Sequence, residues 1–252
     1  MDDNAHPIDR DSLAALTARA EAGDARAMFD LGCVYDIPLK RGIEVDLDRA
    51  RGWYERAAAL GFGWAQFALA DMHERSEGGA PRNDLAARRL YDAAARQGIA
   101  EAQMKLANML RAGRGGPADP VEAAHWYEAA ALQGHELAAT NLALMHLDRE
   151  LADASLDKAL ELLEFAADKL DGLAHLILGD LHMRGIAGQP HGGLALVHYC
   201  VAARLLPAGE NGDRAASLKE ALLARQPALR ENYEAQASAF VNSRRDTAES
   251  GA

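Results

Sequence analysis

Apolar positions recur along the chain in two series that share one period. In the first series a leucine follows an alanine four residues earlier, and in the second a tyrosine or leucine precedes a pair of alanines. The anchors of the first series are Leu31, Leu69, Leu106, Leu142 and Leu178, and those of the second are Tyr54, Tyr91, Tyr127, Leu163 and Tyr199. Successive anchors lie 36 to 38 residues apart. Two series with one period predict five tandem repeats.

Within each repeat the spacing predicts two helices joined by a loop. Ala27, Leu31 and Tyr35 lie four residues apart and form one apolar stripe of a first helix. Four residues before the leading alanine of each second helix stand Asp46, Asn83, Asp119, Ser155 and His191. The first four of these are good N-cap residues. Glycine closes the second helix as a predicted left-handed C-cap at Gly61, Gly98 and Gly134.

A small residue follows the anchor leucine of every first helix, and we expect it to let the helices approach closely. These residues are Gly32, Ala70, Ala107, Ala143 and Gly179. We expect the aromatic residue of the second helix to fill the space between successive helix pairs, so that large and small side chains alternate across the contact. No single pair buries its stripe alone, so stability is a sum over neighbouring repeats.

Sequence outside the repeats predicts helical caps at both ends. A lone helix is predicted over Asp9–Ala22, and two more over Asp213–Arg225 and Ala228–Phe240, separated by Pro227. The predicted segments are a capping helix in 1–23, five repeats in 24–209, capping helices in 210–242 and a disordered tail in 243–252.

Composition agrees with an all-α protein and narrows the function classes. Apolar residues make up 49% and aromatic residues 6%, with 8 prolines in 252 residues, which favours helix. The net charge of -11 disfavours nucleic acid as a partner. Two cysteines, Cys33 and Cys200, are too few for a disulfide framework. No apolar run approaches a membrane span and the first residues are acidic, so we expect a cytoplasmic protein without membrane insertion.

Residue motifs for catalysis, metal binding or a cofactor are missing from the sequence. Three histidines, His73, His146 and His182, take the place that Tyr35 holds in the first repeat. Neighbouring helices pack roughly 8–10 Å apart, whereas zinc needs nitrogens roughly 2.0–2.1 Å from the metal. We therefore expect these histidines to pack rather than to bind a metal, and we expect no cofactor and no enzyme activity.

These residues resemble the Sel1-like repeat, a relative of the tetratricopeptide repeat with a slightly longer unit. The first repeat matches that pattern at Ala27, Leu31, Gly32, Tyr35, Asp46, Ala50, Trp53, Tyr54, Ala57, Ala58 and Gly61. The fourth and fifth repeats depart from it, because Leu163 replaces the aromatic residue and Leu170 and Leu206 replace the closing glycine. The resemblance implies a right-handed αα-superhelix that serves as an adaptor or scaffold.

In such a superhelix the first helices line the concave side, which grips peptides or partner helices. Positions five and two residues before and after each anchor leucine define the predicted lining. Its partner-binding residues are Phe29, Asp36, Trp64, Phe67, Asp71, Glu74, Met104, Asn108 and Arg111. Aromatic residues mixed with acids suit a peptide that carries apolar anchors and a basic residue.

In the fourth and fifth repeats the same positions are nearly all apolar, as at Leu137, Leu144, Leu147, Leu173 and Leu176. A solvated groove does not expose so many apolar side chains. We expect the helices after Gly212 to fold back over them. The alternative is that the register is off by one position and these leucines belong to the core.

The function predicted from the sequence is a non-enzymatic adaptor that binds a protein or peptide segment in the concave groove. One alternative is an inhibitor or immunity-type protein that blocks a single protein target through a rim or its convex face. A further alternative is an enzyme or metal-binding protein that uses histidines and acids of several repeats. The sequence leaves the oligomeric state open.

Overall fold

The computed structural model describes residues 10–37, 44–79, 81–225 and 230–250. Over these ranges the chain forms thirteen α-helices and no β-strand. In chain order the helices are α1 (Arg10–Glu21), α2 (Ala25–Asp36), α3 (Leu47–Ala59), α4 (Gly63–Arg75), α5 (Asp84–Ala95), α6 (Ala100–Ala112), α7 (Pro120–Leu132), α8 (Glu136–Leu147), α9 (Leu156–Asp168), α10 (Gly172–Arg184), α11 (Gly192–Leu205), α12 (Glu210–Leu223) and α13 (Arg230–Ser250).

The five predicted helix pairs are present as α2–α3, α4–α5, α6–α7, α8–α9 and α10–α11. In each pair we call the earlier member the first helix and the later one the second helix. The chain divides into two compact halves, Met1–Ala129 and Ala130–Ala252. The predicted all-α repeat solenoid is thus confirmed.

Side-chain caps start all five second helices. Asp46, Asn83, Asp119 and Ser155 each accept a hydrogen bond from the backbone N–H three residues later, at 2.9–3.4 Å. His191 does the same through Nδ1, at 3.0 Å, although histidine is not among the strong N-cap residues. The local sequence therefore fixes where each second helix begins.

Left-handed residues end the second helices of the first four repeats. Gly61, Gly98 and Gly134 have φ values of 82°, 85° and 93°. Leu170 takes the same conformation with a φ of 64°, so the fourth repeat keeps its closing turn without glycine. Leu206 is extended, with a φ of -77°, and the fifth repeat closes differently.

The second-helix tyrosine lies directly on the first helix of its own repeat. A Cβ atom added at Gly179 would sit 2.6 Å from Cε1 of Tyr199, and one added at Gly32 would overlap the ring of Tyr54. Tyr54 also shares a core cluster with Leu69 of the next repeat. The small residues therefore make room for the tyrosine of their own repeat, and it is the tyrosine that also packs with the next repeat.

In the N-terminal half, loop glycines pack against the backbone of the preceding repeat. Gly78 follows α4, and a Cβ atom there would lie 2.7 Å from the carbonyl oxygen of Leu47, at the start of α3. Gly115 follows α6 and lies on the carbonyl oxygen of Asp84, at the start of α5, in the same way. Both glycines have positive φ, 57° and 70°. Backbone therefore touches backbone between repeats, at a spacing that only glycine allows.

The C-terminal half ends in two helices, as predicted. On α12, Ala215 packs with Leu176 and Tyr199, while α13 packs through Ala237 and Val241 on α11.

Helix α13 replaces the disordered tail expected from Ser243 onward, because it continues to Ser250. Two contacts support the extra turns. Thr247 Oγ1 donates to the carbonyl oxygen of Ser243 at 2.7 Å, and Arg244 pairs with Asp168 of α9 at 2.7 Å. Some residues of the predicted caps and tail lie outside the described residues, namely Asp9, Pro227 and residues 251–252.

A histidine cluster lies between α10, α11 and α13. Nδ1 of His175 is 2.9 Å from Nδ1 of His198, and the ring of His182 stacks on that of His198. Phe240 of α13 contacts His175 edge to face. Burial lowers the pKa of His175 to about 4 and that of His198 to about 3. Both rings are therefore neutral at pH 7, and one donates a hydrogen bond to the other.

We expect acid to destabilise the C-terminal half through these rings. As the pH falls from about 6.5 toward about 4, the unfolded chain binds protons that the folded chain does not, so the free energy of unfolding falls. Between pH 7 and pH 5 the loss is about 2 kcal/mol per histidine. Urea unfolding at both pH values should show a loss smaller by about that amount in His198→Gln. The exposed His125 gives the control variant His125→Gln, and equal losses in all three proteins would contradict the prediction.

We expect Gly115→Ala to destabilise the chain more than Gly98→Ala does. Both residues have positive φ, 70° and 85°, so each substitution costs about 1–2 kcal/mol of backbone strain. Only the Gly115 Cβ would meet backbone of the preceding repeat, whereas Gly98 has open space around it. Overpacking adds about 1–3 kcal/mol. Urea unfolding measures both variants, and a Gly98→Ala cost equal to that of Gly115→Ala would rule out the contact between repeats.

Candidate functional site

Polar residues of the first helix bind the hydroxyl of the buried tyrosine in the second helix. The Tyr54 hydroxyl donates to Asp36 at 3.1 Å and approaches Cys33 Sγ at 3.5 Å. The Tyr91 hydroxyl lies 3.1 Å from a carboxylate oxygen of Asp71 and 3.0 Å from one of Glu74. These acceptors stand two or five residues after the anchor leucine of the same repeat.

The same arrangement holds in the third and fifth repeats and is replaced in the fourth. Tyr127 donates to Asn108 at 2.5 Å, and Tyr199 donates to Asp180 at 2.8 Å. In the fourth repeat the tyrosine is Leu163, and the two acceptor positions are Leu144 and Leu147.

Leu147 packs in the core cluster of Leu163. Polar acceptors are thus present where a hydroxyl needs them and absent where it does not. This correspondence explains the apolar character of the fourth repeat, which the sequence analysis had assigned to a covered groove or a shifted register.

Four of the nine predicted partner-binding residues therefore accept a hydrogen bond from the buried tyrosine of their own repeat: Asp36, Asp71, Glu74 and Asn108. Burial raises the pKa of the Tyr91 hydroxyl well above its ordinary value, and the neighbouring carboxylates of Asp71 and Glu74 raise it further. The Tyr91 hydroxyl is thus a permanent donor that holds α4 and α5 together.

Basic residues compensate the two carboxylates of the second repeat. Lys105 Nζ lies 3.3 Å from Asp71 and 3.1 Å from Glu74. Arg75 pairs with Asp71 at 3.1 Å, and Arg114 pairs with Glu74 at 2.6 Å. Neither Lys105 nor Arg114 belongs to the predicted lining, because neither stands two or five residues from an anchor leucine.

Arg114 joins the second and third repeats. From the loop after α6 it reaches Glu74 of α4 and Asp84 of α5, the latter at 3.1 Å. Burial alone would raise the pKa of Glu74, but hydrogen bonds from Arg114 and Lys105 outweigh it and lower that pKa to about 2. Arg114 and Arg82 also lower the pKa of Asp84 to about 2. The carboxylates of Asp71, Glu74 and Asp84 are therefore each paired with cations of this chain.

The predicted aromatic residues form a partly open surface on α4. Trp64 is 42% exposed, and its ring lies 6.1 Å from that of Phe67, edge to face. Phe67 is half-buried and its ring lies 5.8 Å from that of Tyr91. Among the described residues, Trp64 is the one exposed tryptophan, tyrosine or phenylalanine. We call Trp64 and Phe67 the aromatic pair.

The remaining predicted residues of the N-terminal half are half-buried. The ring of Phe29 lies 5.7 Å from that of Tyr54 and 5.4 Å from that of Phe62. Met104 Sδ accepts a hydrogen bond from Asn108 Nδ2 at 3.0 Å. Arg111 also interacts with other residues of the chain. Phe29 and Met104 occupy the register position of Phe67 in the neighbouring repeats.

In the C-terminal half the predicted lining is covered only in part. Leu176 is buried beneath α12, as expected of helices after Gly212. Thr140 is buried as well and donates to Asp171 at 2.5 Å. Leu137 and Met183 remain exposed. Among the described residues, α12 packs on Leu176 of this lining, whereas α13 packs mainly on the second helix α11.

The three histidines in the Tyr35 position have structural contacts. The backbone N–H of Asn83, the N-cap of α5, donates to the carbonyl oxygen of His73 at 3.1 Å. In the same way the N–H of His191, the N-cap of α11, donates to the carbonyl oxygen of His182 at 3.0 Å. At His146 the ring nitrogen Nδ1 accepts from the Ser155 N–H at 3.3 Å. Over the described ranges, no three histidine, cysteine or acidic side chains are grouped closely enough to hold a metal ion. None of the helices described is both long enough and apolar enough to span a bilayer.

Comparison with known proteins shows which described repeat these helix pairs match. The family model described as Sel1 repeat matches residues 25–62, 65–99, 100–135 and 137–169. Chitin synthase regulatory factor 3 of Schizosaccharomyces pombe is 37% identical over 113 residues, which are 44% of this chain and 12% of that relative. This chain therefore spans about an eighth of the curated relative that it matches.

Two solved structures are similar over most of the chain. A Sel1 repeat protein from Oxalobacter formigenes has a TM-score of 0.71 at 28% identity, covering 78% of this chain and 80% of that one. A protective antigen of uropathogenic Escherichia coli strains, with an SLR fold, has a TM-score of 0.77 at 23% identity, covering 95% and 50%. Both support the repeat fold.

We expect Tyr91→Phe to cost about 1–2 kcal/mol of stability, because Asp71 and Glu74 lose a buried hydroxyl donor. Tyr35→Phe is the matched control. The Tyr35 hydroxyl has no hydrogen-bond partner among the described residues, and the contact of its ring with Arg49 is kept in phenylalanine. Urea unfolding should show a change below about 0.5 kcal/mol for Tyr35→Phe. Equal costs in the two variants would contradict the assigned role of the Tyr91 hydroxyl.

Proposed function

The chain belongs to the Sel1 repeat family, and we propose that it is a non-enzymatic adaptor that binds a segment of another protein on the first helices of its N-terminal half. Sel1 repeat proteins are protein-interaction scaffolds. The observation that carries the proposal is the aromatic pair, in which Trp64 is 42% exposed on α4. A large aromatic side chain left in solvent beside a second ring is typical of an interaction surface.

The aromatic pair is held in place before any partner arrives. Phe67 contacts Trp64 on one side and Tyr91 on the other, and Tyr91 is fixed by its hydrogen bonds to Asp71 and Glu74. Binding to a surface that is already ordered avoids part of the entropy cost of association. Tryptophan is among the residues that most often dominate the affinity of an interface.

The other predicted residues fall into two roles in this proposal. Phe29 and Met104 extend the apolar surface in the neighbouring repeats, where they occupy the position of Phe67. Asp36, Asp71, Glu74, Asn108 and Arg111 act as positioning residues, since they contact other parts of the chain.

The curated relative supports a role through protein contact, because it is named as a regulatory factor for a synthase. The segment matched is a small part of that relative, so we do not extend its target to this chain. We also propose a reducing compartment such as the cytoplasm, where Cys33 and Cys200 remain free thiols.

A second candidate is an inhibitor or immunity-type protein that blocks its target with an edge of the repeats. Leu85 and Val121 favour it, because they are 50% and 72% exposed. Both stand two residues after the N-cap of a second helix, in α5 and α7. They present apolar surface on helices other than those that carry the aromatic pair. An enzyme or metal-binding function is the remaining alternative. Within the part of the chain that the structure describes, no three histidine, cysteine or acidic side chains are grouped closely enough to hold a metal ion.

Affinity purification from the native cell extract tests the proposal with four proteins. We expect wild type to retain one or more partners, Trp64→Ala to lose at least nine-tenths of them, and Leu85→Ala to retain them. Leu60→Ala is the control, because Leu60 caps the C-terminal end of α3, is 59% exposed and lies outside both surfaces. Quantitative mass spectrometry measures retention. Loss with Leu85→Ala and retention with Trp64→Ala would favour the second candidate and contradict the first.

A further inference from the structure

Two amide side chains lie near the start of α4. Gln66, two residues after Trp64, accepts a hydrogen bond from Gln97 Nε2 at 2.8 Å. Gln97 also donates to the carbonyl oxygen of Ala93 at 3.2 Å. These two amides thus already have hydrogen-bond partners within the chain.

The nearest acids of α4 are not available to a partner. Each carboxylate of Asp71 and Glu74 has the Tyr91 hydroxyl and two cations within hydrogen-bond or ion-pair distance. Their side chains are 22% and 18% exposed. A lysine or arginine of a partner would have to displace a cation of this chain, gaining one ion pair while breaking another. The negative charges of Asp71 and Glu74 are therefore already compensated by cations of this chain.

We propose that the aromatic pair receives an uncharged apolar anchor, an aromatic or large aliphatic side chain of the partner segment, with no ion pair to Asp71 or Glu74. This inference rests on the proposed function. It replaces the basic residue that the sequence analysis expected in the partner. Burial of the anchor against Trp64 and Phe67 supplies the affinity, and the affinity is nearly independent of salt because no net charge is paired.

Charges at the position of Trp64 in the neighbouring repeats provide matched controls. In the repeat before, that position is Arg26, which pairs with Asp30 at 3.1 Å. In the repeat after, it is Glu101, which is exposed and has no ion-pair partner among the described residues. Glu101→Gln therefore removes the one unpaired charge described at this position of the three N-terminal repeats, and it leaves Trp64 and Phe67 unchanged. Binding of the partner segment should be unchanged in Glu101→Gln.

Selection of random peptides on the full chain tests the inference. A phage-displayed library of twelve-residue peptides is selected on wild type and counter-selected on Trp64→Ala, whose fold is checked by circular dichroism and thermal unfolding. We expect the enriched peptides to share an aromatic or large aliphatic position and to show no enrichment of lysine or arginine. Alanine at that position should weaken binding of the synthetic peptide at least tenfold.

Salt dependence of the synthetic peptide's Kd supplies the second readout. Between 50 and 500 mM NaCl we expect a change of less than about threefold in wild type and in Glu101→Gln. Enrichment of lysine or arginine, or a loss of tenfold or more in high salt, would overturn the inference while leaving the binding surface in place. If no peptide distinguishes wild type from Trp64→Ala, the binding surface itself is wrong. A concentration-dependent dimer that Trp64→Ala abolishes would assign the surface to a second copy of this chain and overturn the inference.

Discussion

A buried tyrosine hydroxyl must have a hydrogen-bond acceptor, and that requirement organises the repeats of this chain. Four of the five second helices bury a tyrosine, which fills the helix pair with a large ring but brings a polar atom with it. A buried donor left without an acceptor costs about 1–3 kcal/mol. The first helix of the same repeat supplies the acceptor, from Asp36, Asp71, Glu74, Asn108 or Asp180.

This requirement also determines the charge on the candidate binding surface. A carboxylate that accepts from a buried hydroxyl lies partly out of water, where a nearby cation compensates its charge. In the second repeat Lys105 and Arg114 supply it from the next repeat, and their ion pairs join successive repeats. What remains open to a partner is the aromatic pair. Packing, hydrogen bonding and ion pairing on α4 are thus consequences of one buried ring.

Much of the fold could be predicted from the sequence, because short-range rules determine it. The period of 36 to 38 residues can be read directly from the chain. The N-caps at Asp46, Asn83 and Asp119 and the left-handed glycines each depend on a few neighbouring residues. Helical periodicity assigned Asp71 and Glu74 to a face of α4, but it could not show that Tyr91 reaches the same face from α5. The contacts of Arg114 span 30 to 40 residues and follow only from the packed repeats.

The sequence nevertheless contained a signal for these acceptors. Leu163, Leu144 and Leu147 replace the tyrosine and both acceptors together in the fourth repeat, so comparison of repeats within the chain reveals the pairing. Other features have no such signal. His175 and His198 meet from different helices, and the polar end of α13 is ordered by contacts such as Arg244 with Asp168, which are 76 residues apart.

The most direct test of the central claim is a double-mutant cycle in the first repeat, in which Tyr54 and Asp36 are each changed to leucine, as in the natural pattern of the fourth repeat. The free energy of unfolding is measured by urea denaturation for wild type, both single variants and the double variant. If the hydroxyl and its acceptor depend on each other, the double variant is destabilised by at least about 1 kcal/mol less than the sum of the single variants. Additive losses would contradict the account, because the acid would then be present for a reason unrelated to the tyrosine.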